Sequence, residues 1–298
     1  MNLSDVVQNL VSGMSIGCTY GLIGLGVVFL WQSIERINFA NISSAMLSAY
    51  LFYTFYSSLK LGFVLSFVFS IALLALYGLM LRYLIYEPII RRGGARMEFV
   101  VATLMVCTFW LTVIIVIYGG LPKPFPPVFG SSADLVEVGS VRLPKFYFYI
   151  FAVVLFLMAF LHFLLRKTLV GKIFRATAQN GTAAQLMGVN VNLSRSLAFM
   201  LSTMVVGIAG ILLAPVYFVS LELGGGSIGV KGFASAVMGG LMDPYGTLLG
   251  GVVLGIIENF STLFISSTYK DVISFCILVL VLIVRPSGVF NWTGNRDK

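Results

Sequence analysis

Charged and amide side chains are scarce in this chain, so those set inside its apolar runs are the first candidates for chemistry. Glu258 stands in GIIENF with Asn259 beside it. A carboxylate within a lipid-spanning run is costly, so it either serves a solute or ion pathway or bonds to a neighbouring helix. Asn38, Asn41, Ser43 and Ser44 form a second polar cluster where an apolar run begins after Arg36. They either line a pathway or cap a helix. Glu222 and Lys231 flank a glycine cluster and read as parts of a solvated external loop. Patterns that imitate catalytic signatures fail on context. Gly225–Gly229 fits G-x-S-x-G and Gly224–Gly229 fits G-x-G-x-x-G, but the first needs a strand-to-helix turn with a partner histidine and the second a βαβ unit. His162, the one histidine, lies in an apolar run and reads as a packed or interfacial residue. Cys18, Cys107 and Cys276 stand singly in such runs and read as packing residues, implying neither disulfide nor metal. No Walker lysine motif, zinc pair or carboxylate pair occurs. The chain reads as a non-enzyme without catalytic or metal-binding residues.

The elements that must position these residues are membrane helices. The chain is 59% hydrophobic and 10% charged, whereas soluble domains average about 25% charged residues. It cannot cover itself with polar surface, and lipid is its solvent. Uncharged runs cover Val6–Ile34, Ile37–Leu59, Leu61–Leu81, Phe99–Pro122, Phe146–Leu165 and Ser196–Leu221, with two more helices near Gly246–Ile265 and Val272–Val284. A span takes about 20 apolar residues. The first run reads as a retained span, since no basic region precedes it and no cleavage site follows. The net charge of +8 reflects residues that flank spans and set orientation, not nucleic-acid binding. With the N-terminus outside, thirteen of the nineteen basic residues fall in the cytoplasm; Lys60, Lys123, Arg142, Lys145, Lys231 and Lys270 fall outside. Parity then requires an extra crossing between Glu222 and Arg285. The short segment Gly232–Met242 must supply it as a broken or re-entrant helix of the kind that lines cavities. The fold class is all-α, a polytopic integral membrane protein of eight or nine transmembrane helices in a single domain over residues 1–298.

Two loops stand out. The external loop 119–145 is Pro-rich at first and then reads as a hairpin over Leu135–Pro144, turning at Gly139-Ser140; it is either solvated or a docking surface. The cytoplasmic loop 166–195 reads as a structured element. Asn180-Gly181 signals a turn, Thr182 with Gln185 fits a capping box, and Gly188 ends a helix of barely two turns near 182–188. Glycines recur every four residues at Gly13, Gly17 and Gly21, at Gly246 and Gly250, and at Gly251 and Gly255, marking grooves for close helix packing within the chain or between subunits. Asn38-Phe39-Ala40 and Gly232-Phe233-Ala234 border these ladders and hint at a duplicated, inverted unit.

Together, RINFA (Arg36–Ala40), ATL (Ala102–Leu104), GKIFRATAQ (Gly171–Gln179), AAQLMGVNV (Ala183–Val191), GGLMDPYGTLLGG (Gly239–Gly251) and VRPSGVF (Val284–Phe290) resemble signatures of the smaller permease subunit of branched-chain amino acid ABC importers. The resemblance covers almost the whole chain. It implies a second permease subunit in a heterodimer, two cytoplasmic ABC ATPases, an external solute-binding protein, and a multi-pass location in the plasma (inner) membrane of a prokaryote. It implies no cofactor in this chain, with ATP and Mg in the ATPase subunits. The loop 166–195 resembles the coupling loop seated on the ATPase, with Thr182, Ala183, Ala184, Gln185 and Gly188 as coupling residues. Thr182 and Asn192 stand where the family commonly has acids, which favours docking by shape and apolar contact. Asn41-Ile42-Ser43 replaces the family's His-Gly-acid, near a proposed pathway helix; Asn38, Asn41, Ser43, Ser44, Glu258 and Asn259 are the candidate pathway residues. The expected function is ATPase-driven import of a small solute, an amino acid above all, by alternating access. The alternatives are a permease of the same family for urea, amides or aromatic solutes, and an ion-coupled secondary transporter using Glu258.

Overall fold

Lipid offers a backbone polar group no water to bond, so a chain this apolar must satisfy its backbone inside helices. The computed structural model describes residues 3–126, 128, 135–138, 141–264, 269–285, 288 and 289. Its helices are α1 (Leu3–Ile34), α2 (Ser43–Tyr53), α3 (Phe63–Leu81), α4 (Glu87–Arg91), α5 (Arg96–Tyr118), α6 (Phe146–Lys167), α7 (Leu169–Gln179), α8 (Gly181–Leu186), α9 (Val191–Tyr217), α10 (Glu222–Gly225), α11 (Ser227–Gly239), α12 (Pro244–Phe264) and α13 (Lys270–Val284). Strands β1 (Leu135–Val138) and β2 (Val141–Pro144) pair antiparallel, Leu135 opposite Pro144 and Val138 opposite Val141. The Gly139-Ser140 turn, the end of the run at Ile265, and Pro286, Ser287 and Phe290 lie outside the described residues. Among the described residues, five stretches are long and apolar enough to cross a bilayer: Val6–Ile34, Phe63–Arg91, Arg96–Tyr118, Phe146–Lys167 and Val191–Tyr217. The protein is an all-α polytopic membrane protein.

Apolar side chains gain little by meeting each other in lipid, so close backbone approach must hold the bundle together. The glycine ladders provide it by meeting each other. A Cβ on Gly13 would lie 2.9 Å from the Gly255 carbonyl, one on Gly17 2.5 Å from the Gly251 carbonyl, and one on Gly21 2.8 Å from Leu248. Rising numbers in α1 meet falling numbers in α12, so the two helices are antiparallel. α11 joins by the same device: a Cβ on Gly250 would sit 2.7 Å from the Ser235 carbonyl, and one on Gly239 2.3 Å from Gly246. α9 closes the group from another side, with Ser202 Oγ donating to the Gly26 carbonyl (2.6 Å) and Thr203 Oγ1 to the Leu74 carbonyl (2.8 Å). α5 and α6 remain largely exposed along their lengths, leaving apolar faces for lipid or a membrane partner.

Three elements depart from their expected form. The run Ile37–Leu59 is not one helix. It opens with a 3₁₀ turn at Phe39–Asn41, continues as α2, and ends in a π turn at Thr54–Ser58. Its polar residues are the reason: Ser43 Oγ bonds back to the Ala40 carbonyl (2.6 Å), the local competition that interrupts regular helix. The third run extends beyond Leu81, through a π turn at Arg82–Tyr86, into α4. The weak segment Gly232–Met242 belongs to a helix that begins earlier, at Ser227, after a break at Gly226, and stops where Gly240 adopts φ 86°. The two Phe-Ala segments meet, with the Phe39 and Phe233 ring centroids 6.2 Å apart.

The bundle has two distinct ends. At one, Gln32 Nε2 donates to the Met242 carbonyl (2.8 Å), Arg36 Nη1 to the Ala95 carbonyl (3.1 Å) and the Val289 amide to the Met238 carbonyl (2.8 Å). α7 and α8 belong to this basic end, where Phe174 packs on Phe29. At the other, the hairpin end, Lys123 and Val219 exchange backbone hydrogen bonds of 3.0 and 2.9 Å. The α1–α12 contact predicts that Gly17→Leu or Gly251→Leu forces the helices apart and destabilises the protein by about 3 kcal/mol. Thermal unfolding of the purified protein in detergent would show a clear drop in Tm, and an unchanged Tm would contradict the contact.

Candidate functional site

Glu258 does not stand alone in its span. It is 3% exposed, and its Oε1 accepts from Lys231 Nζ (2.9 Å) and Lys270 Nζ (2.9 Å). Tyr20 Oη adds a longer bond to the same oxygen, at 3.3 Å. Lys231 Nζ also reaches Asp271 Oδ1 at 2.6 Å, and Lys270 Nζ donates to Tyr217 Oη at 3.1 Å. The Tyr20 and Tyr217 hydroxyls are 3.0 Å apart. Five helices, α1, α9, α11, α12 and α13, thus converge on one cluster of two ammoniums, two carboxylates and two phenols. Glu258 Oε2 is buried and has no hydrogen-bond partner among the described residues.

The cluster corrects the reading of Lys231 as part of a solvated loop. Lys231 is 1% exposed. Because α11 starts at Ser227, Lys231 lies one turn inside a helix whose inner face meets α1 and α12, and only an ion pair makes that burial tolerable. Glu222 is exposed, as read. A lysine opening an apolar helical run, with unpaired acids in two neighbouring runs, was the available signal. Tyr20 and Tyr217, in apolar runs, gave none. Asn259 is half-buried beside α1, its Cβ 3.2 Å from where a Cβ on Gly13 would stand, and among the described residues it takes no part in the cluster's hydrogen bonds.

The second predicted group is also buried. Asn38, Asn41, Ser43 and Ser44 are each at most 5% exposed. Asn38 precedes the 3₁₀ turn without a capping side-chain bond. Ser43 Oγ meets Tyr77 Oη at 3.2 Å. Both amide atoms of Asn38 and of Asn41, and Ser44 Oγ, have no hydrogen-bond partner among the described residues. Spacing of three in a 3₁₀ turn running into helix puts Asn38, Asn41 and Ser44 on one face. Gly26 makes room there: a Cβ on it would lie 2.9 Å from Asn41 Nδ2. Each orphaned buried polar group costs about 1–3 kcal/mol, so this face is a local weak point of the packing. The structure does not bring it into the ionic cluster.

The third site is the loop between α6 and α9. α8 is capped by Asn180, whose Oδ1 accepts from the Ala183 amide at 2.9 Å. The expected Thr182–Gln185 box is therefore not the cap. The helix starts at Gly181, which puts Thr182 inside its first turn, and asparagine caps better than threonine. At the other end the Gly188 amide donates to the Gln185 carbonyl (3.0 Å) and the Val189 amide to the Ala184 carbonyl (3.0 Å), with Gly188 at φ 83°. That is a Schellman stop. Ala184 is buried, whereas Thr182, Ala183 and Gln185 face out. Leu186 and Met187, each 85% exposed, are the most exposed large apolar side chains among the described residues. Asn192, at the root of α9, accepts from the buried Arg82 at 3.3 Å and so ties the loop to the third span. His162 hydrogen-bonds Tyr245 Oη, an interfacial contact between α6 and α12. Cys18 is buried and Cys276 is exposed.

Residues 9–282 match the family described as branched-chain amino acid transport system, permease component. The high-affinity branched-chain amino acid transport system permease protein LivH of Escherichia coli K12 is 29% identical over 293 residues, which cover 95% of this chain and 94% of LivH. The corresponding permease BraD of Pseudomonas aeruginosa is 29% identical over 297 residues, with 95% of each chain covered. The ribose import permease RbsC of Haemophilus influenzae is 27% identical over 206 residues, covering 66% of this chain and 61% of RbsC. No solved structure matches.

The ionic cluster predicts a non-additive response. Glu258→Ala leaves Asp271 as the one carboxylate facing two ammoniums, so one cation is stranded, and destabilises the protein by about 3 kcal/mol. Adding Lys231→Met to the Glu258 variant recovers part of that loss, because one stranded charge is removed. Unfolding of the single and double variants in detergent measures the coupling; strictly additive losses would contradict it.

Proposed function

The chain belongs to the permease family of branched-chain amino acid transport systems, and we propose that it is one membrane subunit of an ATP-binding-cassette importer for branched-chain amino acids. The protein itself is a transport subunit; ATP and Mg act in two cytoplasmic ATPase subunits. A second permease subunit completes the pathway and an external binding protein delivers the solute. In this reading the basic end lies in the cytoplasm of a prokaryotic cell, the hairpin end lies outside the plasma membrane, and the chain crosses nine times, α2 and α11 being its short crossings.

The observation that carries the proposal is α8. A helix of six residues is too short to persist in water on local bonds alone. This one is stopped at both ends by dedicated caps. It sits at the basic end and presents Leu186 and Met187 almost fully exposed. Large apolar side chains held out on the aqueous side of a membrane protein mark a protein-docking surface. The ATPase is that partner, and its closure pushes α8. The push passes to α9 through Asn190, which caps that helix on the Leu193 amide (3.0 Å), and to α3 and α4 through Arg82. The resulting motion alternates access to a pathway for which Asn38, Asn41, Ser43, Ser44, Glu258 and Asn259 are the candidates.

In the reconstituted importer, Ala183→Glu or Met187→Asp should lower solute uptake per ATP hydrolysed by about ten-fold while membrane insertion persists. Normal coupling in both variants would refute the assignment. Because the docking face is apolar, coupling should also vary little between low and moderate salt; a steep loss at moderate salt would point to charge pairing instead.

A further inference from the structure

We propose that the ionic cluster at the hairpin end is a station for the zwitterionic head of an α-amino acid, with Glu258 taking the ammonium and Lys270 the carboxylate. The inference rests on the amino-acid reading given above. Its starting point is the lopsided bonding of Glu258. Lys231, Lys270 and Tyr20 all donate to Oε1, at 2.9, 2.9 and 3.3 Å. Oε2 is buried and receives no donor from the described residues. A carboxylate oxygen left this way is costly, and an ammonium with three N–H donors is the group that completes it.

Lys270 is the cation nearer to solvent. It is 27% exposed, against 1% for Lys231. If it swings toward an arriving carboxylate, Glu258 keeps Lys231, and Lys231 keeps Asp271 at 2.6 Å. No buried charge is stranded by the exchange. Charge balance also selects the ligand class. Two ammoniums and two carboxylates sum to zero, and a zwitterion keeps them at zero. A lone anion or cation would add an uncompensated charge, and a neutral sugar would break ion pairs without replacing them. Exposure falls from 47% at Asp271 through 27% at Lys270 to 3% at Glu258, so the approach is graded from the hairpin end inward.

The test is uptake of tritiated leucine by proteoliposomes holding the complete importer with its binding protein. Lys270→Met removes the carboxylate partner at the rim, and Glu258→Gln removes the ammonium partner while keeping its shape. For either variant that assembles, leucine moved per ATP hydrolysed should fall about ten-fold. A purely structural cluster would lower uptake and hydrolysis in proportion, and an unchanged ratio would overturn the station. On the wild-type importer, an absolute requirement of uptake for sodium would also overturn it, since a metal cation would then complete Oε2. Absence of ATP-driven leucine uptake by the wild-type importer would overturn the underlying amino-acid reading instead.

Discussion

Everything else in this molecule depends on how closely α1 and α12 approach. Gly13, Gly17 and Gly21 meet Gly255, Gly251 and Leu248 at backbone distance. In lipid, where apolar side chains gain little from one another, such contact supplies dispersion and shape in place of hydrophobic drive. It also sets the chemistry. Tyr20 and Glu258 bond at 3.3 Å between the two helices that this contact joins. α11 reaches both by the same small-residue packing, which brings Lys231 within 2.9 Å of Glu258. A buried ion pair is weak evidence for stability. Five helices sharing one is better read as specification of a single arrangement, one that a transporter must hold and then change.

The two ends of the molecule divide the work. The basic end carries rigid, capped connections: Asn180 on α8, Asn190 on α9, and Arg82 on Asn192. In the proposed reading, a push on α8 would enter the bundle through these connections. Between the ends lies the broken stretch around Asn38 to Ser44, where a 3₁₀ turn and several unpartnered buried polar atoms sacrifice stability. Irregular backbone at such depth is tolerated where protein or a cavity shelters it. Its contact with α11 through Phe39 and Phe233 joins the two short elements of the fold.

Much of this was legible in the sequence because lipid imposes strong rules. Apolar run lengths gave the long helices, four-residue glycine spacing gave the packing faces, and Gly188 gave the end of α8. What was missed depended on where a helix begins. The Gly226 break starts α11 at Ser227 and turns Lys231 inward; moved to a loop, the same lysine would be solvated. Thr182 looked like a cap until Gly181 began the helix one residue before it. Tyr20 and Tyr217 were invisible because an aromatic in an apolar run reads as packing, and only the fold supplies Glu258 as a partner. The break before α2 came from side-chain bonds such as Ser43 to Ala40, which hydropathy does not register.

The central claim is that α8 docks on an ATPase through its apolar face. Site-directed cross-linking in the assembled importer tests it most directly. A cysteine at Met187 should form a short-linker cross-link to the ATPase subunit, and one at the buried Ala184 should not. Cross-linking at neither Leu186 nor Met187, with cross-links to the ATPase arising from the hairpin end instead, would contradict the claim.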